Sequence, residues 1–364
     1  MAVKLEWIQV LRAIAAALVL IAHLSQHEDR FLSSQVIPLW VSAGVSGVDL
    51  FFVLSGFVMV YVTRHAAHGL TPFIGRFLYA RVTRIYPAYW LATLATLAGY
   101  LAFAGMLQRD FGELNFVTSF LLWPDSHPPI VPVGWTLIHE MYFYLVFAAM
   151  LLAPRRFLPF LLAGWLLLVV LAQPYAASPL TLVITHPLTA EFILGCVVGL
   201  LVTSGRRRFA APVIAAGLIW WVAVTASISW TGHESMPAGW MRVLAYGAPC
   251  ALLVYGVACL DIDGRRRAPA PLVLAGDWSY ALYLVHLPII AALVRVWGRL
   301  FPDGGAVSAL GFWIVGAAVC FASAASMHHL FEKPMLGLTR KAGDRIIPAA
   351  RPIADTPREA TKIW

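Results

Sequence analysis

The chain has 364 residues, 60% of them hydrophobic and 12% charged, with a mean hydropathy of +0.78. Soluble domains carry about a quarter charged residues, so the composition excludes an ordinary soluble protein and points to a polytopic membrane protein. The net charge of +8 raises the question of nucleic acid, which its distribution answers below.

In chain order, an apolar window of about 20 residues predicts ten spans: roughly 8–25, 44–62, 85–105, 134–153, 157–173, 187–204, 209–229, 240–260, 274–297 and 306–330. The expected fold is an all-α transmembrane bundle, with residues 1–334 as the membrane domain and 335–364 as a loosely ordered cytoplasmic tail. Counting Lys and Arg by alternate connections puts 20 on one side and 5 on the other, with Arg12 alone inside the bilayer. The positive-inside rule then makes both termini cytoplasmic, and the asymmetry explains the basic chain without nucleic acid. The stretch Asn115 to Trp123 is apolar but too short to cross, and is expected to be re-entrant or interfacial. Cys196, Cys250, Cys259 and Cys320 all fall in apolar segments, so no disulfide framework is suggested. The histidines lack a carboxylate or thiol pattern at metal-ligand spacing, and no metal is expected.

The first span carries two ionisable residues, Arg12 and His23. Eleven residues make almost three helical turns, so the two share a face and lie roughly 16 Å apart along the axis. Intramembrane charge is costly and marks a functional site by default. A signal peptide is the bland alternative, but a central Arg and the lack of a small-residue cleavage site argue against it; a His satisfied inside the bundle is another.

Depth counting places Asp49, Glu140 and His23 in the external third. A His with one or two carboxylates in a dry setting is how a general base is oriented; the competing reading is that Asp49 and Glu140 only tie helices together. Glu191 lies near the external boundary and is expected to line the cavity. On the cytoplasmic side, Arg76, Arg81 and Arg84 lead into the third span. Arg81 and Arg84 share a helical face, and guanidinium forks suit phosphate; ordinary positive-inside charge or anionic-lipid contact is the bland alternative. Ser55, Trp135, Tyr144, Tyr283 and His286 are expected to line the substrate path. Intramembrane charges of this kind also suit a transporter or a flippase of a lipid-linked glycan.

Six pieces, in order, resemble membrane acyltransferase family 3, the O-acyltransferases of bacterial surface and exported glycans. They are Arg12 with His23 after ten intervening residues, Asp49 through Ser55-Gly56-Phe57, Arg81-x-x-Arg84-Ile85-Tyr86-Pro87, Trp135-Thr136-Leu137-x-x-Glu140-x-x-Phe143-Tyr144, Ser279-Tyr280-x-Leu282-Tyr283-x-x-His286, and Phe331-Glu332-Lys333-Pro334. The Trp-Thr-Leu variant and the lack of an appended hydrolase-like domain are most similar to the exopolysaccharide-production branch. The resemblance implies a multi-pass protein of the bacterial inner membrane. An acyl group, acetyl above all, would pass from cytoplasmic acyl-CoA to a hydroxyl of an exported or lipid-linked glycan. It also implies His23 as the catalytic residue with Arg12 as its motif partner, and Arg81 and Arg84 as donor-binding positions. Whether His23 is general base or nucleophile stays open.

Overall fold

The computed structural model describes residues 5–32, 39–64, 71–102, 114–230, 237–264 and 267–346. Among the described residues the chain is helical with no strand, which is how a chain in lipid satisfies its own backbone polar groups. The helices are α1 (Glu6–Leu32), α2 (Gly47–Thr63), α3 (Thr71–Ala102), α4 (Phe116–Leu121), α5 (Gly134–Met150), α6 (Leu158–Ala172), α7 (Pro179–Ile184), α8 (Thr189–Thr203), α9 (Ala210–Trp230), α10 (Gly239–Arg242), α11 (Ala248–Asp263), α12 (Ala270–Asp277), α13 (Ser279–Leu300), α14 (Ala306–Met327) and α15 (Lys333–Ile346).

Eight helical segments are long and apolar enough to cross a membrane, by length and composition. The other two of the ten expected spans are helices that fall short for different reasons. α5 has 17 residues, about 26 Å against a hydrocarbon core of about 30 Å. α3 is long, but Tyr86, Pro87, Tyr89, Trp90, Thr93 and Thr96 dilute its apolar half.

α1 lies at the centre, in contact with α2, α11, α12, α13 and α14. Its apolar residues Ala15, Ala16, Val19, Leu20 and Leu24 are buried against these neighbours, while Ile14 and Ile21 lie on its exposed face. α2 and α8 cross at reciprocal glycines. A Cβ on Gly56 would fall 2.0 Å from the Phe192 carbonyl oxygen, and one on Gly195 2.0 Å from that of Val53. Small residues permit this backbone approach, a usual device of membrane helices.

The segment Asn115–Val133 packs along α3, with Phe116, Val117, Leu121 and Trp123 left exposed. Asn115 caps α4 by accepting from the Thr118 N–H, and Leu122 ends it in the left-handed region at φ 52°. The carbonyls that a helix end leaves without partners are met by α3: Tyr89 OH donates to Ser119, Trp90 Nε1 to Phe120 and Tyr86 OH to Leu121. Ile130, Val131 and Val133 follow and are buried. α5 therefore starts beside the middle of α3 rather than at an outer boundary.

The first part of the expected tail, residues 335–346, is helical rather than loosely ordered: it belongs to α15. This helix packs on α3, where Tyr79 OH donates to the Thr339 carbonyl and Arg76 pairs with Asp344 at 2.5 Å. Met335, Leu336 and Leu338 among Lys333, Thr339, Arg340 and Lys341 give this segment the amphipathic pattern that a count of prolines and charges overlooks. The remainder of the expected tail lies outside the described residues.

Candidate active site

Arg12 and His23 both face α13, which runs in the same direction as α1. Arg12 Nε donates to Ser279 Oγ at 3.3 Å, and the His23 ring lies 5.0 Å, centroid to centroid, from that of His286. Around these two contacts the structure builds two different environments.

At the Arg12 end is a cavity of about 100 Å³ between α1, α2, α3, α5 and α13. Three guanidinium groups line it, those of Arg12, Arg81 and Arg84, with one carboxylate, Glu140. Arg81 is buried and its Cζ lies 5.6 Å from the Tyr144 ring centroid and 5.5 Å from that of Phe77. Glu140 Oε1 accepts from Ser55 Oγ at 3.2 Å and from Tyr144 OH. Thr136, Glu140 and Tyr144 recur every four residues, so α5 presents one polar stripe to the cavity. From α13 come Tyr280, which donates to the Ile85 carbonyl at 2.9 Å, and Tyr283, whose hydroxyl lies 2.9 Å from Thr136 Oγ1. Three cations against Glu140, and against the buried Glu332 that acts on Arg12 from beyond the lining, still leave positive charge in excess where burying charge is costly. An anionic group is what the cavity lacks.

At the His23 end no charged group is in contact among the described residues. His23 Nδ1 donates to the Val19 carbonyl at 2.8 Å and His286 Nδ1 to that of Leu282 at 3.0 Å. A carbonyl only accepts, so the neutral rings carry their protons on Nδ1 and their lone pairs on Nε2. Tyr283, 5.8 Å from His286 between ring centroids, stands between this pair and the cavity.

Several expected site residues lie elsewhere. Asp49 does not partner His23. It is fully buried against Arg242, whose Nε and Nη2 donate to its two oxygens at 2.9 and 2.8 Å. Glu191 is buried in the same cluster, against Gly247, and does not line the cavity. Glu140 belongs with the arginines rather than with His23, because the buried segment before α5 lowers the whole helix below the depth that residue counting assigns. Arg76 pairs with Asp344 and is not among the cavity-lining residues. Trp135 is partly exposed and meets His139 and Phe52 edge-on instead. Ser55, Tyr144 and Tyr283 do line the cavity, while His286 sits beside His23.

Sequence reasoning missed Thr136, Tyr280 and Arg242. The spacing of Thr136, Glu140 and Tyr144 was a readable helical stripe. Arg242 was counted as an external charge, although it adjoins an apolar span and Asp49 had no counter-ion. The first and the last of these were signals in plain view.

Comparison with known proteins bears on the whole chain. Residues 5–328 match the family described as an acyltransferase domain. The exopolysaccharide production protein ExoZ of Rhizobium meliloti (strain 1021) is 32% identical over 302 residues, which cover 80% of this chain and 90% of that protein. The acyltransferase MdmB of Streptomyces mycarofaciens is 25% identical, covering 99% of this chain and 96% of its own. Nodulation protein 10 of Rhizobium leguminosarum bv. viciae is 26% identical, covering 80% and 82%. No solved structure matches the chain. A family match over residues 5–328, nearly all of the helical core, shows that this chain belongs to acyltransferase family 3.

Proposed function

We propose that the protein transfers an acyl group, most simply acetyl, from acyl-CoA entering from the cytoplasm to a hydroxyl of an exported or lipid-linked polysaccharide in the bacterial inner membrane. The observation that carries this reading is the convergence of Arg12, Arg81 and Arg84 on one cavity that Tyr283 borders, with His286 and then His23 behind Tyr283. The donor chemistry fits the residues present. Guanidinium forks bind phosphate bidentately, and the excess positive charge of the cavity is what a polyanionic donor neutralises. A relative named for exopolysaccharide production supports a glycan as the acceptor. Membership of an acyltransferase family weighs against the transporter reading.

The reacting atom is His23 Nε2. It takes the proton of the acceptor hydroxyl as the oxygen attacks the thioester carbonyl carbon; the C–S bond then breaks, and the leaving thiolate takes the proton back from Nε2. Val19 rather than a carboxylate holds the ring in the tautomer this requires. The same lone pair serves an acyl-imidazole route; the two differ in whether acylated protein accumulates when acceptor is withheld.

The test is His23→Ala. The variant inserts and accumulates normally while transfer of radiolabelled acetyl from acetyl-CoA to polysaccharide falls at least ~100-fold, the lower end for losing a positioned base. Near-normal turnover rejects the assignment. The orientation is tested by reporter fusions: one in the Gly205 turn and one after Trp364 report the cytoplasm, and one near Asp125 reports the outside.

A further inference from the structure

His286 is 1% exposed, and among the described residues its Nε2 has no hydrogen-bond partner. Its Nδ1 proton is committed to Leu282, so Nε2 can only accept. His23, which is half-buried, has its Nδ1 proton committed to Val19 in the same way. Neither neutral ring can supply a proton to the other. The neighbouring hydroxyl of Tyr283 cannot do so either. Thr136 Oγ1 donates to the Val133 carbonyl at 2.8 Å, so at the 2.9 Å contact between Thr136 and Tyr283 it is Tyr283 that donates. A buried acceptor left without a donor is unfavourable.

Two such lone pairs, on rings 5.0 Å apart, ask for a ligand with two O–H donors on neighbouring atoms. We propose that His286 binds the acceptor: its Nε2 takes a hydrogen bond from the hydroxyl adjacent, on the sugar, to the one that His23 deprotonates. The acceptor class is then a saccharide with a free vicinal diol. An isolated alcohol satisfies His23 and leaves His286 unmet. This rests on acyl transfer at His23 and adds the acceptor's chemistry to it.

The experiment uses purified full-length protein, acetyl-CoA, and polysaccharide extracted from a strain deleted for the protein, titrated as acceptor. His286→Leu fills the space without an acceptor atom, His286→Asn reaches only the Nδ1 position, and His286→Gln carries its amide oxygen close to the Nε2 position. In His286→Leu and His286→Asn the acceptor KM rises about 10- to 100-fold, kcat changes much less, and acetyl-CoA binding is unchanged. This split marks an interaction made in ground and transition states alike. His286→Gln recovers most of the loss. Unchanged KM in both Leu and Asn variants overturns the proposal, as does a Gln variant no better than Asn, or a loss confined to kcat, which would make His286 a residue acting through His23. Should Leu not fold, the Asn and Gln pair decides. If wild-type protein transfers no acetyl, or His23→Ala transfers as well as wild type, the underlying acyl-transfer reading is what fails.

Discussion

The bundle buries two clusters of opposite charges, and they are built on different ratios. In one, Asp49 receives both arms of Arg242 at 2.9 and 2.8 Å, with Glu191 buried beside them. In the other, Arg12, Arg81 and Arg84 border a cavity whose one lining carboxylate is Glu140, its Oε1 already occupied by Ser55 and Tyr144, while the buried Glu332 acts on Arg12 from beyond the lining. The first cluster, closed in the sense that Asp49 and Arg242 meet in a direct two-armed pair, ties α2 to the start of the Gly239–Asp263 segment. The second holds unneutralised positive charge around space. Intramembrane charge alone does not separate a helix tie from a binding site; the count of partners and the presence of room do.

Breaking the closed cluster gives the largest stability effect. Arg242→Ala leaves Asp49 buried without its partner, a loss of about 3–5 kcal/mol, read as a fall in thermal stability of the detergent-purified protein. Asp49→Asn combined with Arg242→Gln regains much of that loss and still binds acetyl-CoA. A double variant that is stable yet blind to donor would make this cluster part of the site.

Loss of Arg81 and Arg84 together, by Ala substitution, acts on the open cluster. Each lost charge-assisted contact is worth about 1.5–3 kcal/mol, so donor binding falls by more than tenfold while the protein remains folded. Glu140→Gln sharpens the comparison in the opposite sense. The amide oxygen still accepts from Ser55 and Tyr144, but the competing negative charge is gone, so acetyl-CoA binds a few-fold more tightly, as for a modest partly screened charge interaction. A tenfold weakening would show that the carboxylate orders the arginines instead.

The smallest effect belongs to Arg76, whose partner Asp344 is exposed. Arg76→Ala shifts stability by no more than about 1 kcal/mol and leaves donor binding alone. A clear loss of binding would extend the open cluster to the surface of α3.

Much of this was legible from residues close in sequence. The apolar windows locate the helices, and the 11-residue step places Arg12 and His23 on one face. The partners of the charges were not legible, because Asp49 and Arg242 lie 193 residues apart and only the α2–α8 crossing and the turn before α11 bring them together. Depth counting failed for Glu140 for a local reason. It assumed that α5 begins at an outer boundary, whereas the aromatic donors of α3 hold the end of α4 beside the middle of α3, and the buried Ile130, Val131 and Val133 carry the chain from there to α5. The free Nε2 of His286 belongs to the same class: no periodicity in the chain says which donors its neighbours have already used.

The central claim, that the open cluster is the donor site, is tested most directly by equilibrium binding of acetyl-CoA to purified wild type, Arg84→Gln and Arg76→Gln. The account predicts measurable binding by wild type, about tenfold or greater weakening in Arg84→Gln, for one lost charge-assisted contact, and an unchanged affinity in Arg76→Gln. Equal affinity in all three would contradict it and return Arg84 to the ordinary positive charge of a cytoplasmic face.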